Sequence, residues 1–305
     1  MNILRVGTDC SGIEAPIQAL IQMNIPFKHV FCSDIDKYCI QSIKANYNPE
    51  IIFGDKNGDF PEGDITKRDI NDVPDIDLYI CGFPCQPFSM AGERKGFNDK
   101  RGNVFFSCLE LIERKQPKYF ILENVKGLIS HDKKNTWKVI CDELLKLEKY
   151  GYIVKWKILN TKDYGIPQNR ERIFIVGNKE DFEWPKIKEM DDLKNYVDND
   201  DNVYRNIPDC SKKLLDIVPK DAIFIDIGYR HHKHVNSNKY SPSLTCNNRL
   251  WNIKKSRYAN IKERLKLQGF NLNFKQVVSK TQMDKQIGNS MSVNVLKCLL
   301  EKIIS

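Results

Sequence analysis

Several things are missing from this 305-residue chain. No apolar run approaches the roughly 20 residues that a membrane-spanning helix needs, and no signal peptide precedes the strand-like segment that begins at Leu4. Both absences point to a cytoplasmic protein with no membrane partner. The ten cysteines are scattered. Cys81 and Cys85 are four apart, but no second close pair completes the ligand spacing of a zinc site, so no metal is expected. A disulfide framework is not expected either in an intracellular chain of this size. There is no internal repeat and no low-complexity stretch, which argues against solenoid and disordered-scaffold architectures. Between residues 227 and 262 there is no acidic residue at all.

That last absence concentrates a general bias. Lys and Arg exceed Asp and Glu by 48 − 40 = 8, a moderate basic excess compatible with a polyanionic partner. The acid-free window holds Arg230, Lys233, Lys239, Arg249, Lys254, Lys255, Arg257 and Lys262, interleaved with Tyr229, Tyr240, Trp251 and Tyr258. Cations among aromatics suit a phosphate backbone and splayed bases; a solvated basic face has the same composition. His231, His232 and His234 lie in the window without Cys or carboxylate ligands beside them. Residues 189–201 are acidic without a clear apolar period and read as a linker or exposed loop.

The length allows one large core and a smaller appended domain. The first half alternates strand and helix patterns, which predicts an α/β fold. Residues 4–8 form a strand, Asp9-Cys10-Ser11-Gly12-Ile13-Glu14-Ala15-Pro16 a turn, and residues 17–23 a helix, the opening of a Rossmann-like nucleotide site. Only Gly12 remains of the multi-glycine pattern, so a plain strand-to-helix turn reads equally well. Asp34 ends the second strand about 20 residues on, where a ribose hydroxyl pair is held; a helix N-cap would use the same residue type. Asp64, in Gly63-Asp64-Ile65-Thr66, could accept from an adenine amino group or close a turn.

Chemistry concentrates after the apolar strand 76–81. Gly82-Phe83-Pro84-Cys85-Gln86-Pro87-Phe88-Ser89 puts a cysteine on a Gly- and Pro-shaped loop at a strand end, a placement suited to a nucleophile once neighbours activate its thiol. Residues 91–102 are polar, charged and glycine-rich and read as a loop able to close over a substrate. Glu123-Asn124-Val125 follows the apolar strand 119–122, and partial burial there would raise the Glu123 pKa and let it carry a proton near neutrality. In Gln168-Asn169-Arg170-Glu171-Arg172, residues two apart on extended chain share a face, so Arg170 and Arg172 are expected to point into one pocket.

These blocks, with Gly96-Phe97 through Phe105-Phe106, Ser241-Pro242-Ser243-Leu244-Thr245, residues 264–270 and Gln286-Ile287-Gly288-Asn289-Ser290, closely resemble the ordered motifs of the DNA (cytosine-5) methyltransferases. The resemblance runs from Leu4 to about Ile304 and is weakest between about 181 and 240. It implies a Rossmann-like methyltransferase domain (1–184), a target-recognition domain and hinge (185–280) and a C-terminal helix returning to the first domain (281–305). It implies S-adenosylmethionine held by Cys10, Gly12, Asp34, Ile35, Asp64, Ile65, Pro84, Val104 and Asn289. Catalysis would fall to Cys85, Glu123, Asn124, Arg170 and Arg172. Double-stranded DNA would meet Gln86, Ser89, Arg101, Arg230, Lys233, Arg249, Lys254, Lys255 and Arg257. A monomer is expected, and the sequence leaves open whether a cognate restriction endonuclease accompanies it. Two departures stand out: Cys10 occupies the family's usual phenylalanine position against the adenine, and Glu14-Ala15 replace further glycines. One branch of the family methylates tRNA and carries Cys-Phe-Thr in its recognition region, a tripeptide this chain lacks.

Overall fold

A computed structural model describes residues 3–84, 104–199, 214–216, 218–219, 221–228, 237–247 and 249–304. In chain order the longer elements are β1 (Leu4–Asp9), α1 (Ala15–Gln22), β2 (Phe27–Ser33), α2 (Lys37–Asn46), β3 (Ile51–Phe53), β4 (Leu78–Cys81), α3 (Val104–Lys115), β5 (Tyr119–Val125), α4 (Asn135–Leu145), β6 (Ile153–Asn160), β7 (Gln168–Asn169), β8 (Glu171–Asn178), β9 (Phe224–Asp226), β10 (Ser241–Pro242), β11 (Leu250–Asn252), β12 (Arg257–Tyr258), α5 (Ile261–Gln268), α6 (Lys280–Asn289) and α7 (Val293–Ile303).

One seven-stranded sheet carries the molecule, in the order β3-β2-β1-β4-β5-β8-β6. The first five strands are parallel, and β8 runs antiparallel to both β5 and β6. A strand buried on both faces reads as a continuous apolar run, and β4 shows why. Leu78 and Ile80 enter one core while Tyr79 and Cys81 enter the other. In β5, Tyr119 and Ile121 divide from Phe120 and Leu122 in the same way. The first core takes α1 and α7, with Val293, Leu296, Leu299, Leu300 and Ile303 buried; the second takes α3 and α4. The chain order reverses between β1 and β4, and in such sheets ligands bind outside the carboxyl ends of the strands at that point.

Two smaller sheets follow, a parallel pair of β7 with β10 and an antiparallel trio β12-β11-β9. The trio has a small apolar cluster of its own, Leu214, Ala222, Ile225, Ile227 and Trp251. The segment read as a linker or exposed loop is largely exposed over residues 189–199, but it is anchored to the first core. Leu193 and Tyr196 sit on a short 3-10 turn and are buried in the first core. Its charges hid two anchors spaced three apart, which at 3-10 geometry share one face.

Candidate active site and cofactor pocket

The carboxyl ends of the parallel strands open onto a cavity of about 610 Å³. Every expected cofactor residue lines it: Cys10 and Gly12 after β1, Asp34 and Ile35 after β2, Asp64 and Ile65, Pro84 after β4, Val104 at the start of α3, and Asn289 at the end of α6. Glu123, Asn124, Arg170 and Arg172 line it too. Cys85, with Gln86, Ser89, Arg101, Arg230 and Lys233, lies outside the described residues, as does the loop 91–102.

The turn after β1 is built on positive φ at Cys10 (49°), Gly12 (58°) and Glu14 (60°). Glycine adopts this region freely, whereas a glutamate there is strained. Glu14 is held in place by its surroundings. Its carboxylate is fully buried, accepts from the Thr8 hydroxyl at 2.7 Å and faces His29 Nε2 at 3.4 Å. The side chain replacing a family glycine thus has a buried partner on β2. Glu14, His29 and Cys32 bring one ligand atom each within 4.8 Å of one another. No fourth His, Cys, Asp or Glu joins them among the described residues, and a closed zinc site takes four ligands.

Asp34 is not the cap of α2. That cap is Asp36, which accepts from the Tyr38 amide at 3.0 Å. Asp34 instead accepts from the amides of Gly12 and Asp36, each at 2.8 Å, and so pins the β1 turn to the end of β2. Burial raises its pKa, while the two amide hydrogen bonds oppose the rise. Asp64 is both a turn aspartate and a wall of the cavity. It accepts from the Thr66 amide at 3.0 Å and hydroxyl at 2.7 Å, and Lys67 stands 3.3 Å away. Burial pushes its pKa up, but these donors outweigh it and hold the carboxyl below its ordinary value. Ile35 is 79 % exposed at the cavity, an apolar surface suited to a flat ring.

Sequence reasoning missed the ion pair beneath this wall. Buried Asp9 takes a two-pronged contact from Arg68 at 2.7 and 2.8 Å and a third hydrogen bond from the Tyr79 hydroxyl at 2.8 Å. Arg68 lies over the Phe31 and Phe53 rings. Nothing local announces a pair 59 residues apart. Asp36 and Lys285, 2.9 Å apart at the cavity's rim, were missed for the same reason.

At the other end, Glu123 on β5 is 7 % exposed, and Arg172 on β8 brings its Nε to 3.3 Å from Oε1. Burial raises the Glu123 pKa; the charges of Arg172 and Arg170 oppose it, and burial prevails. Asn124 donates to the Phe83 carbonyl at 2.9 Å and accepts from the Val125 amide at 2.8 Å. It therefore fixes the strand-end loop two residues before Cys85. Arg170 and Arg172 both reach the cavity wall but spend their donors differently. The Arg170 guanidinium is buried and donates to the carbonyls of Leu244, Gly288 and Ser290. Burial and neighbouring Arg172 depress its pKa. A guanidinium keeps its proton in proteins, so these acceptors offset part of the cost of burial, while the buried Nε has no hydrogen-bond partner among the described residues.

The basic window divides. Arg249 is exposed, with its aliphatic stem packed over Gly228, where a Cβ would stand 2.2 Å from Arg249 Cδ. Lys254 is exposed on the β11–β12 turn, and Lys255 beside it reaches the Asn199 carbonyl at 3.5 Å. Arg257 corrects the expectation of a DNA contact. It is buried, and its two terminal nitrogens meet both Glu263 carboxylate oxygens at 2.7 and 3.1 Å. Glu263 closes the capping box of α5 with Asn260 and also accepts from Asn252. The window contains no acid, but acids on either side of it in sequence, Asp198 and Glu263, fold onto its cations.

With this geometry in hand, comparison with known proteins is decisive. The model of the C-5 cytosine-specific DNA methylase family matches residues 9–245 and 225–305. The chain belongs to that family. It is a DNA cytosine-5 methyltransferase by descent. It is 40 % identical over 288 residues to the type II methyltransferase M.HaeII of Haemophilus aegyptius, covering 91 % of this chain and 86 % of that one. It is 38 % identical over 294 residues to M.SsoII of Shigella sonnei, covering 90 % and 74 %. Among solved structures, the S. pombe Dnmt2 methyltransferase superposes with a TM-score of 0.67 at 21 % identity, covering 97 % of each chain. A Spodoptera frugiperda DNMT2 mutant gives 0.70 at 19 % identity over 99 % of this chain and 100 % of that one. These two likenesses speak for the fold. Among the described residues no helix is long and apolar enough to cross a membrane.

Proposed function

We propose that the protein methylates carbon-5 of a flipped-out cytosine in duplex DNA through a covalent Cys85 adduct, using S-adenosylmethionine. The observation that carries this reading is Glu123. It is a buried carboxyl with a raised pKa, 3.3 Å from Arg172, on the wall of the cavity that the nine expected cofactor residues also line. A cavity of about 610 Å³ is large enough for a nucleoside-sized ligand beside a base. Ile35 offers it an apolar surface, and Asp34 and Asp64 offer acceptors. When bound, S-adenosylmethionine supplies an electrophilic methyl group.

The protein's own residues supply the rest. Carbon-5 of cytosine is a poor nucleophile. Addition of the Cys85 thiolate to carbon-6 pushes electron density onto it. Glu123, whose pKa burial raises, donates a proton to ring nitrogen 3, and Arg172 holds the ring carbonyl oxygen as charge develops there. Asn124 keeps the loop that leads to Cys85 against β5. After methylation a water molecule takes the carbon-5 proton, and the electron pair of that bond re-forms the ring double bond as the Cys85 thiolate is expelled. The reaction requires the base outside the stack, at a cost of a few kcal/mol. Residues 185–280 are assigned to target recognition, with Arg249, Lys254 and Lys255 as the described candidates for DNA contact. A monomeric enzyme working beside a cognate endonuclease completes the proposal.

The test incubates the pure protein with methyl-labelled S-adenosylmethionine and either duplex DNA or tRNA, followed by nucleoside analysis. Label in 5-methyldeoxycytidine from the duplex is the expected result. Label in tRNA alone, or in no nucleoside, would overturn the reading.

A further inference from the structure

Arg170 and Arg172 stand two apart on one strand edge, yet only Arg172 reaches Glu123. Arg170 spans two other segments. Its Nη1 donates to the Leu244 carbonyl at 2.8 Å and the Gly288 carbonyl at 3.2 Å, and its Nη2 to the Ser290 carbonyl at 2.7 Å. Gly288 and Ser290 flank Asn289, the exposed residue with which the end of α6 meets the cofactor cavity. We propose that Arg170 is a positioning residue that locks Asn289 against the cofactor by tying the end of α6 to residues 244–245, just after β10. This inference rests on the cofactor reading of the cavity given above.

The geometry around that tie is redundant in a way that packing alone does not require. The last carbonyls of a helix lack intrahelical donors and favour a nearby cation, and Arg170 supplies both needs to α6. Gln168 accepts from the Leu244 amide at 2.9 Å and donates to the Leu267 carbonyl at 2.7 Å and to Gln268 Oε1 at 2.8 Å. Gln268 in turn donates to the carbonyls of Ile287 at 3.1 Å and Ser290 at 2.7 Å. Arg264 donates to the Thr245 carbonyl at 3.1 Å and the Asp284 carbonyl at 2.8 Å. At Gly288 a Cβ would stand 2.0 Å from the Thr245 carbonyl oxygen, so backbone presses on backbone and no side chain can intervene. A buried cation is costly unless its donors are matched. Here two of the three acceptors are the carbonyls of the residues either side of one pocket residue, the third is that of Leu244, and the buried Nε is left without a partner among the described residues. A shift of residues 244–245 therefore drags 288–290 with it, or breaks charge-assisted hydrogen bonds.

The experiment titrates the full chain, without DNA, with S-adenosylhomocysteine by calorimetry, comparing wild type, Arg170→Lys and Gly288→Ala. Lysine keeps the charge but not the fork; the alanine methyl pushes the two backbones apart while leaving Arg170 in place. Loss of one or two charge-assisted hydrogen bonds predicts a fall in affinity of about tenfold to a hundredfold for each variant. The KM for S-adenosylmethionine should rise by a similar factor, with kcat at saturating cofactor changed much less. Melting temperatures without ligand check that each variant is folded, and Gly288→Ala keeps the test alive if Arg170→Lys does not fold. Wild-type affinity in either folded variant would overturn the inference, and so would a kcat loss that matches the KM change. Failure of wild type itself to bind S-adenosylhomocysteine would instead sink the cofactor reading on which it rests.

Discussion

The strand-end cavity and the basic window after residue 227 were read from the same sequence with opposite success. At the cavity, every expected cofactor residue and four expected catalytic residues converge. In the window, one of the expected DNA contacts, Arg257, is buried against Glu263, while Arg249 and Lys254 are exposed. The difference is physical. Many of the cavity residues, Cys10, Gly12, Asp34, Ile35, Pro84, Glu123 and Asn124 among them, sit at or just after the ends of strands β1, β2, β4 and β5, and parallel strands deliver their carboxyl ends to one place by topology. The window has no such rule. Its strands are two or three residues long, and where each side chain points depends on acids supplied by other segments.

The largest effect is expected at the legible end. Glu123→Gln keeps the shape and removes the transferable proton, and a general acid typically supplies about 10²–10⁴-fold. Single-turnover methylation should slow by that order while S-adenosylhomocysteine binding stays near wild type. Because the Glu123 pKa is raised, its protonated form persists above the ordinary glutamate range. The rate should therefore fall as pH rises through that raised value, and this limb should vanish in Glu123→Gln. Arg172 pulls the pKa down, so Arg172→Gln should move the limb to higher pH. A limb that stays in place would remove Arg172 from the electrostatics of Glu123.

The second effect sharpens the failure in the window. Breaking one side of a buried ion pair costs about 3–5 kcal/mol. Arg257→Ala should lower unfolding stability in denaturant by that order, whether or not DNA is present. A variant with normal stability and weakened DNA binding would return Arg257 to the interface. Next comes Asp34. Its carboxylate organises the Gly12 turn through two amide bonds, so Asp34→Ala should weaken S-adenosylhomocysteine binding by about tenfold or more. Calorimetry giving unchanged affinity would leave Asp34 with no cofactor role. The smallest effect belongs to Lys254 and Lys255. Replacing both with alanine should weaken binding to target and scrambled duplexes alike and lower the log–log salt slope by up to about 2. An unchanged slope would make this turn a solvated face.

What was legible follows from these contrasts. The α/β class and the strand-end position of Glu123 were readable from apolar runs that end in Gly, Asp or Glu; the nine cofactor positions came from the resemblance, since the residues alone read equally well as turns and caps. The Asp9–Arg68 pair, the Glu14–His29 contact and the Arg170 tie to α6 were readable from neither. Each joins residues distant in sequence, and neither partner's own neighbourhood hints at the other. Arg170 shows the limit within a motif. Alternation on extended chain placed both arginines at one cavity, but the hydrogen-bond partners that separate their roles lie on α6 and residues 244–245. Leu193 and Tyr196 show the converse, two apolar anchors that fix a largely exposed acidic stretch to the first core.

The central claim is a covalent bond between Cys85 and the target cytosine. It is tested most directly with duplex DNA carrying 5-fluorocytosine at the methylated position, incubated with the protein and S-adenosylmethionine. Fluorine cannot leave as the carbon-5 proton does, so the adduct should persist through denaturing electrophoresis, and peptide mapping should locate the nucleotide on Cys85. A Cys85→Ala protein that still methylated DNA, or a trapped nucleotide on any other residue, would contradict the account.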